Sequence, residues 1–285
     1  MRPLPWANID EIVGLEETRV FRDMCPEFEW AHLYDDQVRA RNVELVRQQS
    51  PLWDQIICDP GSYRVSESLY RAIPETELDK WFLRTKSARA VPGRLLHTVE
   101  LLEEVIANYG GGGGGNISVL NLGSGPGRDV LTVMSRVRAN IRATMLDASP
   151  EALAEGRTLS TEMGLDGQAE FQQCNFLSYT DKTGFDIGVM VGIICPREAD
   201  EARIMLKRVG KQIRRGGTLI VSNTHPRMAR EEPLVRFMME YLAEWVLAYK
   251  EDEELGAVMR AAGYDVIRID REPLGYHLLG LGTKA

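Results

Sequence analysis

Val119-Leu120-Asn121-Leu122-Gly123-Ser124-Gly125-Pro126-Gly127-Arg128-Asp129 reads as an apolar strand, a glycine-rich turn and the first residues of a helix. Gly123, Gly125 and Gly127 carry no Cβ, so a ligand can approach the backbone closely there. Such a first strand-to-helix turn is where nucleotides bind in an open α/β sheet. Asp147 follows Gly127 by 20 residues, at the end of the next apolar run, Met145-Leu146-Asp147-Ala148-Ser149-Pro150. A carboxylate at that point can accept hydrogen bonds from both hydroxyls of a ribose. Ser149 directly precedes a proline and is the better cap for the following helix, which leaves Asp147 for a ligand.

Outward from this stretch, short apolar runs alternate with helical ones. Strands are expected near 118–122, 142–146, 170–174, 186–191 and 218–222. Helices are expected near 128–139, 150–163, 198–215, 234–249 and 253–262. Two closing strands, 264–270 and 276–282, are joined by a link short enough for a hairpin, so the last should run antiparallel. The pattern predicts a Rossmann-like, doubly wound α/β sheet of seven strands, mostly parallel, covered by helices on both faces.

Upstream the periodicity is helical, over 27–49 and again over 93–108, with prolines at 51, 60, 74 and 92. Six consecutive glycines, Gly110 to Gly115, separate the two halves and can hold neither helix nor strand. The expected organisation is a helical lid or substrate region over 1–109, a joint over 110–116 and a ligand-binding domain over 117–285. Tryptophans and tyrosines before the joint (Trp30, Tyr34, Trp53, Tyr63, Tyr70, Trp81) read mainly as core.

Charge and composition exclude several classes. The 34 basic and 42 acidic residues leave a net charge of −8, which argues against a polyanionic partner such as nucleic acid. No apolar run is long enough to cross a membrane, and the first residues lack a secretory pattern, so a cytoplasmic protein is expected. The four cysteines, Cys25, Cys58, Cys174 and Cys195, form no CxxC pair, so no metal site is expected.

The G-x-G-x-G turn, with Arg128-Asp129 in place of a third spaced glycine, differs from the dinucleotide pattern G-x-G-x-x-G. It resembles the first motif of the class I S-adenosylmethionine (SAM)-dependent methyltransferases. Phe185-Asp186-Ile187-Gly188-Val189-Met190 resembles that family's fourth strand, and Gly216-Gly217-Thr218-Leu219-Ile220-Val221 the entry to its fifth. The likeness extends from about Ser118 to Ala285. It implies SAM as cofactor, with Gly123, Ser124, Gly125 and Gly127 at the turn and Asp147 on the ribose. Asn175 and Phe176, at the end of the third strand, fall beside the adenine. Ala148, directly after the second strand, and Val191, at the end of the fourth, complete the set of cofactor-binding candidates. Asn121 departs from the pattern, because the family carries an acid there, near the SAM amino group. An amide accepts a hydrogen bond but supplies no charge. The methionine carboxylate needs a cation, and Arg84 and Arg89 of the basic cluster 84–94 are the candidates.

His225 is the candidate general base, in Ser222-Asn223-Thr224-His225-Pro226 after the fifth strand, with Asn223 beside it. No Asn/Asp-Pro-Pro-Tyr/Phe sequence is present, which turns the expectation toward a small-molecule acceptor, as in specialised metabolism, with homodimerisation left open. The same sulfonium activates the 3-amino-3-carboxypropyl arm. The alternatives are therefore transfer or cyclisation of that arm with release of methylthioadenosine, and a non-catalytic SAM-binding module.

Overall fold

A computed structural model describes residues 9–110 and 116–285. In chain order its elements are α1 (Ile9–Val13), α2 (Glu16–Met24), α3 (Asp36–Gln49), α4 (Pro51–Cys58), α5 (Tyr63–Arg71), α6 (Glu77–Arg84), α7 (Lys86–Gly110), β1 (Ile117–Leu122), α8 (Arg128–Arg136), β2 (Ile141–Asp147), α9 (Pro150–Glu162), β3 (Ala169–Gln173), β4 (Phe185–Met190), α10 (Ala199–Val209), a 3₁₀ turn (Gly210–Gln212), β5 (Ile213–Thr224), α11 (Arg227–Glu231), α12 (Pro233–Ala243), α13 (Asp252–Ala261), β6 (Tyr264–Arg271) and β7 (His277–Lys284).

The strands form one seven-stranded sheet in the order β3-β2-β1-β4-β5-β7-β6. Strands β1 to β5 pair in parallel, whereas β7 runs antiparallel to both β5 and β6. The observed sheet is the Rossmann-like one that the alternating pattern predicts. Side chains alternate across β1, and the alternation divides the core. Ile117 and Val119 pack with Leu102, Val105 and Ile106 of α7 and Val130, Leu131 and Val133 of α8. Leu120 and Leu122 pack on the opposite face with Leu206 of α10 and Leu255 and Met259 of α13. Asn121 therefore shares the α7 and α8 face, at the carboxyl end of β1.

Local chemistry sets the helix starts. Ser149 accepts the Ala152 N–H at 3.2 Å and Pro150 opens α9, as the cap reading requires. Asp35 caps α3 through the Gln37 and Val38 N–H groups, so the periodic run that begins at residue 27 becomes helical only at Asp36. The helix expected over 198–215 ends at Val209, and β5 begins at Ile213, paired with Phe185. Helix α12 stops at Ala243, with Glu244 left-handed at φ 52°.

The chain divides into two compact units. The sheet unit comprises Gly93–His225 and Leu247–Ala285; the helical unit comprises residues 9–92 with Pro226–Val246. The division falls at Pro92, inside α7, rather than at the glycine run, because α7 beyond that point packs on the sheet. Glycines 111–115 lie outside the described residues. The helical unit has its own aromatic core, in which Tyr241 stacks on Phe237 at 5.0 Å and Phe237 on Trp30 at 5.9 Å. Trp53 is fully buried there, whereas Tyr34 is exposed. Glu232 receives the Lys86 and Ser87 N–H groups at 2.7 and 2.6 Å, which places a carboxylate on the N-terminus of α7. No helix among the described residues is long and apolar enough to cross a membrane.

Candidate cofactor site

The turn after β1 is bound to the end of β2. Asp147 Oδ2 accepts the Gly125 N–H at 2.7 Å, and its Oδ1 accepts the Ser149 N–H at 2.9 Å. The Ser124 N–H reaches the Leu146 carbonyl at 3.0 Å. Gly123, Gly125 and Gly127 all have positive φ, at 60°, 54° and 76°. At Gly123 the requirement is also steric, because a Cβ there would stand 2.3 Å from Ile193 Cδ1. Asp147 is half-buried and Ala148 exposed, so the carboxylate stands at an open edge of the sheet.

The end of β3 stays beside this edge. The Cys174 N–H donates to the Asp147 carbonyl at 3.0 Å. Asn175 is exposed, and its Oδ1 accepts the Leu177 N–H at 3.0 Å. Phe176 is partly buried against the α10 and α13 layer. Val191 is partly buried on the other layer, after β4. Glycines at the turn, Asp147, Asn175, Phe176 and Val191 thus all lie at the carboxyl ends of β1 to β4 within the sheet unit.

The end of β1 holds a group that sequence reading passed over. Asn121 Nδ2 donates to Asp129 Oδ1 at 2.9 Å, and the Val130 N–H donates to the same oxygen at 2.8 Å. Asp129 is 9% exposed, and burial pushes its carboxyl above the usual carboxylate range. Hydrogen bonds from Val130 and Asn121 and the charge of Arg94 act in the opposite direction. Arg94 lies on α7 within the sheet unit. Its guanidinium occupies the space above Gly192, where a Cβ would meet its terminal nitrogens at 3.4–3.5 Å. Its Nε is buried without a hydrogen-bond partner. Arg84 and Arg89 belong to the helical unit.

Beyond β5, Asn223 and His225 are both buried. Asn223 Nδ2 donates to the Thr224 and Ala248 carbonyls at 3.0 and 3.1 Å. His225 Nε2 stands 2.7 Å from Glu251 Oε2, and its N–H reaches the Tyr276 carbonyl at 2.8 Å. Ser222 Oγ accepts the Gly192 N–H at 2.8 Å and ties the β5 end to the β4 loop.

A family model described as a methyltransferase domain matches residues 114–263, 150 of the chain's 285. The chain belongs to the class I SAM-dependent methyltransferase family. No curated protein matches it in sequence. Among solved structures it is similar to a Bordetella parapertussis protein described as a possible exported protein, at 16% identity and TM-score 0.64, covering 97% of this chain and 95% of that one. It is also similar to magnesium protoporphyrin IX methyltransferase from Synechocystis PCC 6803 with bound S-adenosylhomocysteine, at 13% identity and TM-score 0.55, covering 70% and 88%. A third is the Burkholderia thailandensis 1,6-didemethyltoxoflavin-N1-methyltransferase, solved with 1,6-didemethyltoxoflavin and S-adenosylhomocysteine, at 18% identity and TM-score 0.51, covering 67% and 78%. At these identities the likeness is one of fold.

SAM is the cofactor of this methyltransferase domain. The residues present fit it. Gly123, Gly125 and Gly127, all at positive φ, present backbone without side chains at the turn, and Asp147 stands half-exposed beside it with two backbone donors already on its carboxylate. Among the described residues no group of three or more His, Cys, Asp or Glu is arranged to hold a metal ion.

Proposed function

We propose that the protein transfers the methyl group of SAM to a small-molecule acceptor. The observation that carries this reading is the Gly123–Gly127 turn fastened to Asp147 at the carboxyl edge of the sheet. In the proposal Asp147 receives the ribose hydroxyls, and the turn, with Ser124, admits the cofactor against backbone. Asn175 and Phe176 receive the adenine, and Ala148 and Val191 border it. Bound SAM supplies an electrophilic methyl group on a sulfonium. The protein's share is then alignment and exclusion of water rather than covalent chemistry. Where the acceptor must lose a proton, His225 is the proposed base, its ring oriented by Glu251.

The Synechocystis and Burkholderia methyltransferases bear the names of small-molecule acceptors, which supports the substrate class. Use of the aminocarboxypropyl arm is less favoured. An uncharged residue at 121 would leave the cofactor's amine less tied as an ammonium and so favour that chemistry, but the Asn121 amide donates to a carboxylate, Asp129. Incubation of the purified protein with SAM and a metabolite extract, read by mass spectrometry, tests the reading. S-adenosylhomocysteine with a methylated product is expected. Methylthioadenosine would instead identify arm transfer, and binding without turnover a non-catalytic module.

A further inference from the structure

We infer that Asp129 and Arg94 together bind the amino-acid end of the cofactor, Asp129 taking its ammonium and Arg94 its carboxylate. The inference rests on the SAM reading above. Two opposite charges meet at the ends of β1 and β4, on the α7 and α8 side of the sheet, yet they form no ion pair with each other. Among the described residues no salt bridge is made to Asp129. Its hydrogen bonds from Asn121 Nδ2 and the Val130 N–H both fall on Oδ1. A buried carboxylate with a cation nearby but no ion pair is only partly compensated, and charged groups held in this way cluster at functional sites. Arg94 shows the same incompleteness, because its buried Nε has no partner and its fork lies over Gly192. A cation facing an unpaired anion, both beside the glycine turn, is complementary to an α-amino acid zwitterion. Arg offers the planar fork that a carboxylate matches in two places. Asn121 then positions the acid: its amide holds Oδ1, which fixes the orientation of the carboxylate.

The arrangement also moves the negative charge eight residues along the chain, from 121 to 129. The turn folds the first residues of α8 back beside the end of β1, so an acid at either position reaches the same place.

Asp129→Asn separates this role from a structural one. The amide keeps the Oδ1 acceptor for Asn121 and Val130 but removes the buried charge. Calorimetry should be run with SAM and with methylthioadenosine, which lacks the amino-acid end, alongside thermal unfolding of the ligand-free protein. The expected result is SAM affinity weakened about 10- to 100-fold, the loss of one charged hydrogen-bonded contact. Methylthioadenosine affinity should be unchanged, and the melting temperature unchanged or higher. Arg94→Gln should likewise weaken SAM and spare methylthioadenosine. SAM affinity unchanged in both variants overturns the inference and leaves the SAM reading intact. So does a parallel loss of both ligands with a lowered melting temperature in Asp129→Asn, which would make Asp129 a structural brace. Wild-type protein that binds neither ligand overturns the SAM reading and this inference with it.

Discussion

Replacing Asp147 by alanine probes the centre of the cofactor assignment. A carboxylate offers about four lone-pair directions, and the Gly125 and Ser149 N–H groups use two, leaving roughly two for a pair of ribose hydroxyls. Alanine therefore removes two kinds of contact at once. Hydrogen bonds to charged groups contribute about 1.5–3 kcal/mol each. Asp147 is half-buried, so water reaches the released donors and the lower end of that range applies to the turn. The protein should lose about 2–3 kcal/mol of stability, which lowers its melting temperature by about 5–10 °C. Two lost ribose contacts add about 3–6 kcal/mol to SAM binding, a Kd at least about 100-fold weaker. Calorimetric titration of SAM well below the variant's melting temperature reads the second quantity separately from the first. Ser149→Ala is the control. It removes the cap on α9 and the exposed bond from Ser149 Oγ to Glu151, costs about 1 kcal/mol of stability, and should leave SAM affinity as it was. A folded Asp147→Ala protein that binds SAM like wild type would refute the reasoning and reduce Asp147 to a fastener of the turn.

Four other outcomes are expected. Gly123→Ala should destabilise by about 1–2 kcal/mol from its positive φ alone, and by more from the contact with Ile193 Cδ1, with partial recovery in Gly123→Ala/Ile193→Val in urea unfolding. Glu272→Ala should cost about 3 kcal/mol or more, because its buried carboxylate accepts the Leu274, Tyr276 and His277 N–H groups; differential scanning calorimetry measures it. His225→Ala should lower kcat by about 100-fold with SAM affinity retained, if the ring carries the acceptor's proton; equal kcat removes that role. Burial pushes the Cys25 thiol up to about 11, so its share of stability is complete below pH 9 and lost as pH rises through 11. Alkylation read by peptide mass spectrometry should therefore modify exposed Cys58 first and reach Cys25 only at strongly alkaline pH.

The sheet was legible because its evidence is local. Apolar runs of five or six residues, a glycine turn and Ser149-Pro150 each act within a few positions, and together they specify β1 to β4 and α8 and α9. The features that escaped depend on distant partners. Residues 226–246 follow a strand and look like the next sheet-covering helix, yet they join the helical unit, where Tyr241 Oη accepts from Asn42 Nδ2 at 3.3 Å and its carbonyl from Arg39 at 2.7 Å. No periodicity in 226–246 announces those contacts. The start of β5 was hidden because Ile213-Arg214-Arg215 continues the amphipathic phase of α10; it is pairing with Phe185 that makes it a strand. Among the arginines of the 84–94 cluster, Arg94 is the one that belongs to the sheet unit, because α7 enters that unit after Pro92, and no local pattern marks that boundary.

Asp129 shows why motif positions and physical positions differ. As sequence it is one acid in the first turn of a helix, a place where acids are common because the helix dipole favours them. Its significance comes from the reversal of the chain between Leu122 and Arg128, which carries it back onto Asn121. A family pattern that asks for an acid at the strand end is then asking for negative charge at a point in space. A neutral residue at 121 departs from the pattern in letters but not in charge, since the amide that replaces the acid is also the group that holds its substitute. The two positions should therefore be coupled. Asn121→Asp would set two carboxylates against each other, so one of them must take a proton. Its effect on SAM affinity should be much smaller when combined with Asp129→Asn, which leaves a single acid at the same place; strictly additive effects of the two changes would contradict a shared site.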